Sequence, residues 1–307
     1  MPRRRKGEAV SGWINLDKPE GVGSTEAVNR VRRAFNARKA GHAGALDPLA
    51  TGVLPIALGE ATKAMPVVAE AAKTYVFAIA WGETTSTLDR EGEVVARSDV
   101  RPGREAIEAA LPRFVGEIEQ APPAFSAVRV SGQRAYDLAR RGETPELAPR
   151  QVVIHSARLL AHGEAETRIE IVCGKGTYVR SLARDLAEVL GACAHVGALR
   201  RTAVGRFAAE RAISLALLEE LCHRGAALEA LLPVETALDD IPALAVTAED
   251  AFRLAQGRSI VLLPRQVDAL RERLAASRAV SAMHAAKVVA LCEMRAGRLN
   301  PTRVFNY

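Results

Sequence analysis

Between Lys39 and Leu54 the chain reads KAGHAGALDPLATGVL. Gly41, Gly44 and Gly52 permit positive φ and close backbone approach, while Pro48 pushes Asp47 out of the helical region toward an extended conformation. The apolar residues Leu46, Leu49, Val53 and Leu54 would anchor the stretch in a core. A fold built on this chain must therefore present one carboxylate, Asp47, at the apex of a rigid loop held from beneath. Residues 37–58 read as too irregular for regular secondary structure, and loops of that length in compact domains tend to carry function. Taken alone, an Asp-Pro step is more often a turn than a reacting group, and His42 beside glycines is more often a hydrogen-bonded loop residue.

Around this loop the periodicity is mixed. Trp13 to Leu16 reads as a short strand stopped at Asp17-Lys18-Pro19, after which Ser24 or Thr25 can cap a helix with Val28, Val31 and Phe35 on one face. Tyr75, Phe77, Ile79 and Trp81 alternate with smaller residues at the period of a strand. A strand is expected at 93–96, a helix at 103–114, a strand near 124–130, a short helix near 134–141, and a meander at 151–160 and 167–173. After Gly174-Lys175-Gly176, the spacing of Val179, Leu182, Leu186 and Val189 predicts a helix ending at Gly191. Further elements are a strand over 194–207 and helices near 214–223 and 247–256. Residues 264–280 form a basic, Ala-rich stretch, and KVVALCEM leads on to RLNPTRVF as β structure. Pro233, Asp239-Asp240 and Pro242 interrupt both periodicities and mark a boundary at about 235–245. Strands and helices out of strict βαβ order predict an α+β fold rather than a doubly wound sheet.

Several classes of function find no support. No apolar run approaches the roughly 18–20 residues of a membrane span, and acidic residues follow the basic start MPRRRK where an export signal needs an apolar stretch, so a cytoplasmic protein is expected. The four cysteines and six histidines are scattered without metal-ligand spacing, and neither GxGxxG nor GxxxxGK[ST] occurs; we expect no metal and no nucleotide cofactor. Against 36 acidic residues stand 42 basic ones, only seven of them lysine. A net charge of +6 permits a polyanionic partner, although an Arg-rich composition also fits a G+C-rich genome.

The stretch GHAGALDPLATGVLPIALGEATK at 41–63 resembles the catalytic loop of the tRNA pseudouridine-55 synthase family, TruB type. Further blocks match in the family's order: GWINLDKPEG (12–21), KTYVF (73–77), TTSTLDREG (84–92), PPAFSAVRVSGQRAYDLARRG (122–142), CGKGTYVRSLARDLAEVLG (173–191) and HVGALRRTAVGRF (195–207). One departure is Gly23, where the family carries Thr or Ser, and it bears on capping of the first helix. The resemblance implies an α+β catalytic core around a mixed, largely antiparallel sheet, an RNA-binding insertion and a small C-terminal β-rich, PUA-like domain. The expected organisation is a basic arm over 1–11, a catalytic domain over 12–240 with its insertion at about 122–150, and a PUA-like domain over 241–307.

The implied reaction breaks the C1′–N1 bond of a tRNA T-loop uridine, turns the uracil and joins C5 to C1′, with no net redox change and no cofactor. By resemblance Asp47 is the reacting carboxylate, as nucleophile toward sugar or base or as a base toward the sugar. Arg180 is its cationic partner, and Tyr75 stacks on the extruded base. His42, Tyr178, Leu199 and Lys18 are implied in holding the rearranged RNA loop or lining the uracil pocket, with Lys18 touching RNA or orienting Asp17. Arg129, Arg140 and Arg141 of the insertion would contact phosphates. The expected partner is the T-stem-loop of tRNA, bound by a monomer without a guide RNA or an obligate protein. Two other readings stand beside this one: a tRNA-folding chaperone with little or no catalysis, and a guide-RNA-dependent pseudouridine synthase.

Overall fold

Ten strands form one mixed sheet in this computed structural model, which describes residues 7–126, 128–130, 133–143, 147–274 and 279–307. Residues 1–6 of the expected basic arm and the side chains of Arg129 and Arg140 lie outside the described residues. Across the sheet the order is Ile213–Ser214, Gly12–Lys18, Thr51–Leu58, Ala194–Val204, Lys73–Trp81, Glu166–Cys173, Arg150–His162 and Gly116–Gln120. Ala40–His42 pairs with Thr51–Leu58, and Phe207–Ala208 with Ala194–Val204. Gly12–Lys18 runs parallel to Ile213–Ser214, and Thr51–Leu58 parallel to Ala194–Val204. The remaining pairings are antiparallel, so the expected α+β architecture on a mixed, largely antiparallel sheet is what the chain adopts.

The strands form where burial rewards alternation or a continuous apolar run. In Lys73–Trp81 the residues Phe77, Ile79 and Trp81 enter the core. In Glu166–Cys173 the expected face of Ile169, Ile171 and Cys173 is fully buried. The helix Val179–Val189 lays Val179, Leu182 and Leu186 on the same core, and Gly191, at φ 65°, takes the left-handed conformation beyond its end.

Three expectations need correction, and one unassigned stretch gains an element. Residues 37–58 are not one loop: Ala40–His42 and Thr51–Leu58 are strands paired with each other, which leaves 37–39 and the Ala43–Ala50 connection irregular. Thr51–Leu58 is almost wholly buried among neighbours, so tertiary pairing overrides its Gly and Pro content. The strand expected near 124–130 is reduced to Arg129–Val130, and the strand that edges the sheet is Gly116–Gln120, in which GEIEQ offers a single apolar residue. Neither Ser24 nor Thr25 caps the first helix; Gly23 occupies the cap without a side-chain bond. The basic stretch after 264 begins with a helix, Pro264–Leu274, which buries Val267 and Leu270.

Beyond Pro242 a separate five-stranded sheet is ordered Ala243–Ala245, Val280–His284, Lys287–Arg295, Arg298–Val304 and Ile260–Val261. One apolar cluster joins it to the larger sheet: Trp13, Val53 and Phe207 pack with Val288, Leu291 and Phe305. The rings of Trp13 and Phe207 lie 5.3 Å apart, and the indole N–H donates to the Val234 carbonyl at 3.2 Å. Polar ties reinforce the contact, with Lys63 Nζ donating to Val304 O at 2.6 Å and the Val288 amide to Glu235 Oε1 at 2.9 Å. Among the described residues no helix is long and apolar enough to cross a membrane.

Candidate active site

The Ala43–Ala50 connection closes the hairpin between Ala40–His42 and Thr51–Leu58. Its apolar residues Ala43, Leu46, Leu49 and Ala50 are buried, and its polar backbone is held from three directions. Ser24 Oγ donates to Leu46 O and accepts from Leu46 N, both at 2.8 Å. The hydroxyl released from capping is thus spent on the loop. Lys18 Nζ donates to Pro19 O, Val22 O and Pro48 O at 3.0, 2.7 and 3.2 Å. Arg201 donates to Gly44 O, Ala45 O and Val53 O at 3.0, 3.3 and 2.7 Å. Gly52, at φ 101°, is required where the loop meets the sheet, because a Cβ there would lie 2.1 Å from the Arg201 carbonyl oxygen.

Asp47 sits at the apex of this framework with its side chain 41% exposed. Arg180, in the first turn of Val179–Val189 and only 5% exposed, reaches it with Nη2 at 2.9 Å from Oδ2. The other guanidinium nitrogen lies 3.4 Å from Oδ2 of Asp89, a buried carboxylate. Arg180 also donates to Thr87 O and Phe125 O, both at 2.9 Å. Asp89 in turn accepts from Thr87 Oγ1 at 2.5 Å and from the Glu91 amide at 3.1 Å. One cation therefore joins a carboxylate fixed in the protein to a carboxylate open to a cavity. Charge-assisted bonds of this kind set direction as well as energy.

The cavity has a volume of about 290 Å³ and is lined by Asp47, Tyr75, Tyr178, Arg180, Leu199 and Arg201 among others. That is near the lower end for small-ligand pockets and suits one extruded nucleoside rather than a helix. Tyr75 is half-buried, its ring centroid 6.0 Å from Arg201 Cζ. Burial pushes its phenol pKa up, against the opposing pull of Arg201. Tyr178 donates its amide to Gln120 Oε1 at 2.7 Å, and burial raises its phenol pKa as well.

The structure therefore gathers Asp47, Tyr75, Tyr178, Arg180 and Leu199 at one cavity and places the other candidates elsewhere. His42 stands on the strand entering the loop, with Nδ1 buried and unpartnered among the described residues; burial, aided by Arg201, pulls its pKa below 6.5. Lys18 is fully buried beneath the loop, and burial lowers its pKa to about 8. Asp17 is oriented by Arg200, at 3.0 and 2.9 Å, and not by Lys18. Arg141 follows the short helix Ala135–Arg140, bonded to Gln133 at 2.5 Å and paired with Glu143 at 3.0 Å. Asp89, Arg201 and Ser24 escaped the sequence reading. Asp89 had a signal in TTSTLDREG, whereas Arg201 differs from its neighbour Arg200 only in the sheet face it points to.

Residues 32–179 match the model of the N-terminal domain of TruB family pseudouridylate synthases, and residues 180–239 that of the C-terminal domain of tRNA pseudouridylate synthase B. The tRNA pseudouridine synthase B of Caulobacter sp. (strain K31) is 63% identical over 99% of both chains. That of Rhodospirillum rubrum is 50% identical over the whole of both. Among solved structures, a chain of a Cbf5-Nop10-Gar1 complex superposes with a TM-score of 0.72 at 25% identity, over 96% of this chain and 85% of that one.

Proposed function

The chain belongs to the TruB family of pseudouridylate synthases, and on that premise we propose that it isomerises uridine 55 in the T-loop of tRNA to pseudouridine. The observation that carries this reading is the placement of Asp47: an open carboxylate on a rigid apex, held by a buried arginine against a cavity of nucleoside size. In the proposed reaction the target base leaves its stack, at a cost of a few kcal/mol, and is received by the ring of Tyr75. Arg180 occupies Oδ2 of Asp47, so Oδ1 is the oxygen that reacts, by covalent attack or by taking a proton from the sugar. The C1′–N1 bond breaks, the uracil turns against Leu199 and Tyr178, and C5 bonds to C1′ as the bond or sugar proton taken by Asp47 is given back; the C5 hydrogen leaves to solvent as a proton and N1 takes one up. Atoms and electrons balance without a cofactor.

Residues 12–240 act in this reading as the catalytic domain, with an insertion at about 122–150 whose Arg129, Arg140 and Arg141 contact phosphates. Residues 241–307 act as a PUA-like RNA-binding module. The enzyme works in the cytoplasm as a monomer, without guide RNA.

Release of tritium from C5-labelled uridine in unmodified tRNA transcript tests the proposal, because isomerisation replaces the C5 hydrogen. Release is expected from the wild-type chain and is lost both with Asp47→Asn and with a transcript carrying cytidine at the target. A wild-type chain that binds tRNA yet releases no tritium is an RNA remodeller instead.

A further inference from the structure

Arg201 carries a full charge at 1% exposure, and among the described residues no carboxylate lies within ion-pair distance of it. An unpaired buried ion is costly unless its hydrogen-bonding capacity is met by fixed dipoles. Arg200, the next residue back, has the opposite fate: it points to the other sheet face and forms a two-point pair with Asp17. The sheet therefore buries, unpaired, the arginine that faces the cavity.

All three acceptors of Arg201 belong to one structure. Gly44 O and Ala45 O lie in the connection that carries Asp47, and Val53 O lies on the strand leaving it. The sheet register explains why one residue reaches them: Arg201 pairs with Gly52 on one side and Tyr75 on the other. Its guanidinium lies 6.0 Å from the Tyr75 ring centroid, and a Cβ on Gly44 would be 3.6 Å from Nη1. A planar guanidinium presents several donors in one fixed fork and can stack on an aromatic ring, a geometry that an ammonium, as a point charge, reproduces only in part.

The structure assigns Arg201 as a positioning residue: it locks the backbone that carries Asp47 to the ring of Tyr75, so that carboxylate and base-stacking surface keep one relative placement. The assignment rests on the proposed isomerisation. Arg201 touches no reacting atom; it acts through the loop.

The test uses the full-length chain with Arg201→Met and Arg201→Lys beside wild type. Three quantities are measured: single-turnover tritium release, affinity for unmodified tRNA, and amide hydrogen exchange over residues 43–50 without RNA. Arg201→Met is expected to slow release by about 100-fold, the penalty of roughly ångström-scale misplacement, while tRNA affinity holds within about threefold. The amides of Leu46 and Ala50, bonded to Ser24 Oγ and Asp47 O, are expected to exchange faster. Arg201→Lys, which keeps the charge and part of the donor set, should recover about a tenth of the wild-type rate. Unchanged exchange with near-normal release in Arg201→Met overturns the assignment. So does loss of rate and affinity together, or failure of both variants to fold, either of which makes Arg201 a structural residue only. Absence of release from wild type defeats the synthase reading alone, since hydrogen exchange still reports whether Arg201 holds the loop.

Discussion

The two sheets of this chain solve the problem of a stable interior differently. In the five-stranded sheet the buried cluster of Leu254, Ile260, Val280, Ala290 and Leu299 is apolar, and among the described residues Ser281 is the buried polar side chain there. In and against the ten-stranded sheet Lys18, Lys73, Asp89, Arg180 and Arg201 are all buried. Apolar burial stabilises without specifying direction, whereas buried ions cost free energy and return geometry. Three of these charges gather around one loop: Lys18 and Arg201 hold its carbonyls, and Arg180 holds its aspartate. The expense falls where a carboxylate must be aimed. Elsewhere the chain economises with hydrocarbon.

The most severe way to break this contrast is Arg180→Met. It leaves Asp89 buried without its cation, so unfolding stability should fall by about 3–5 kcal/mol, and tritium release should drop by at least ~100-fold as Asp47 loses its orientation. Denaturant titration and single-turnover kinetics measure the two losses. A variant of unchanged stability would mean that Asp89 is solvated and the contrast false. Next in size is Leu291→Ala, in the apolar cluster shared by the two sheets. A cost of about 2–5 kcal/mol is expected from the lost contacts and the cavity, with release from an isolated T-stem-loop RNA within about threefold of wild type. A 100-fold loss there, comparable to the penalty for misplaced catalytic groups, would show that the active-site loop depends on the apolar joint.

The same division governs what the sequence reveals. The strand Lys73–Trp81 and the helix Val179–Val189 are legible because their periodicity is a direct consequence of one-sided burial. The placement of Asp47 on a constrained loop is legible because glycine and proline act locally, whereas its role is read from the family resemblance. By contrast, Thr51–Leu58 is hidden by its Gly and Pro, and becomes a strand only when neighbours distant in sequence pair with it. Arg201 is hidden for a stronger reason: nothing local distinguishes a buried ion from a solvated one. Arg200 and Arg201 are adjacent and identical, and a parallel register with Thr51 and Gly52 decides which faces the cavity. Lys18, read as an RNA contact or a partner of Asp17, is drawn under the loop by the same kind of long-range closure.

Lys18 gives a smaller, pH-dependent test. Its folded pKa of about 8 lies below the ordinary lysine value of 10.5 because burial disfavours the ammonium. Between those values the unfolded chain binds more protons than the native one, so stability must rise with pH through this window and level off above it. The contribution from Lys18 should grow by about 1 kcal/mol between roughly pH 7 and 9. Comparing the pH slope of unfolding free energy in wild type and Lys18→Met isolates it; equal slopes would mean that the amine is hydrated.

The smallest effect belongs to Arg253, paired with Glu249 along the helix Ala248–Ala255 at 2.6 Å, closer than either carboxylate contact of Arg180. Separation alone would rank this pair above those at the candidate active site. Its side chains, however, are 51% and 74% exposed, and water and salt screen most of the attraction. Arg253→Ala should cost no more than about 0.5 kcal/mol, a loss that added salt reduces further, whereas the cost of Arg180→Met should be nearly independent of salt. If the two responded alike to salt, Arg180 would be solvated, and the low dielectric around it, which gives the Asp47 geometry its value, would be absent.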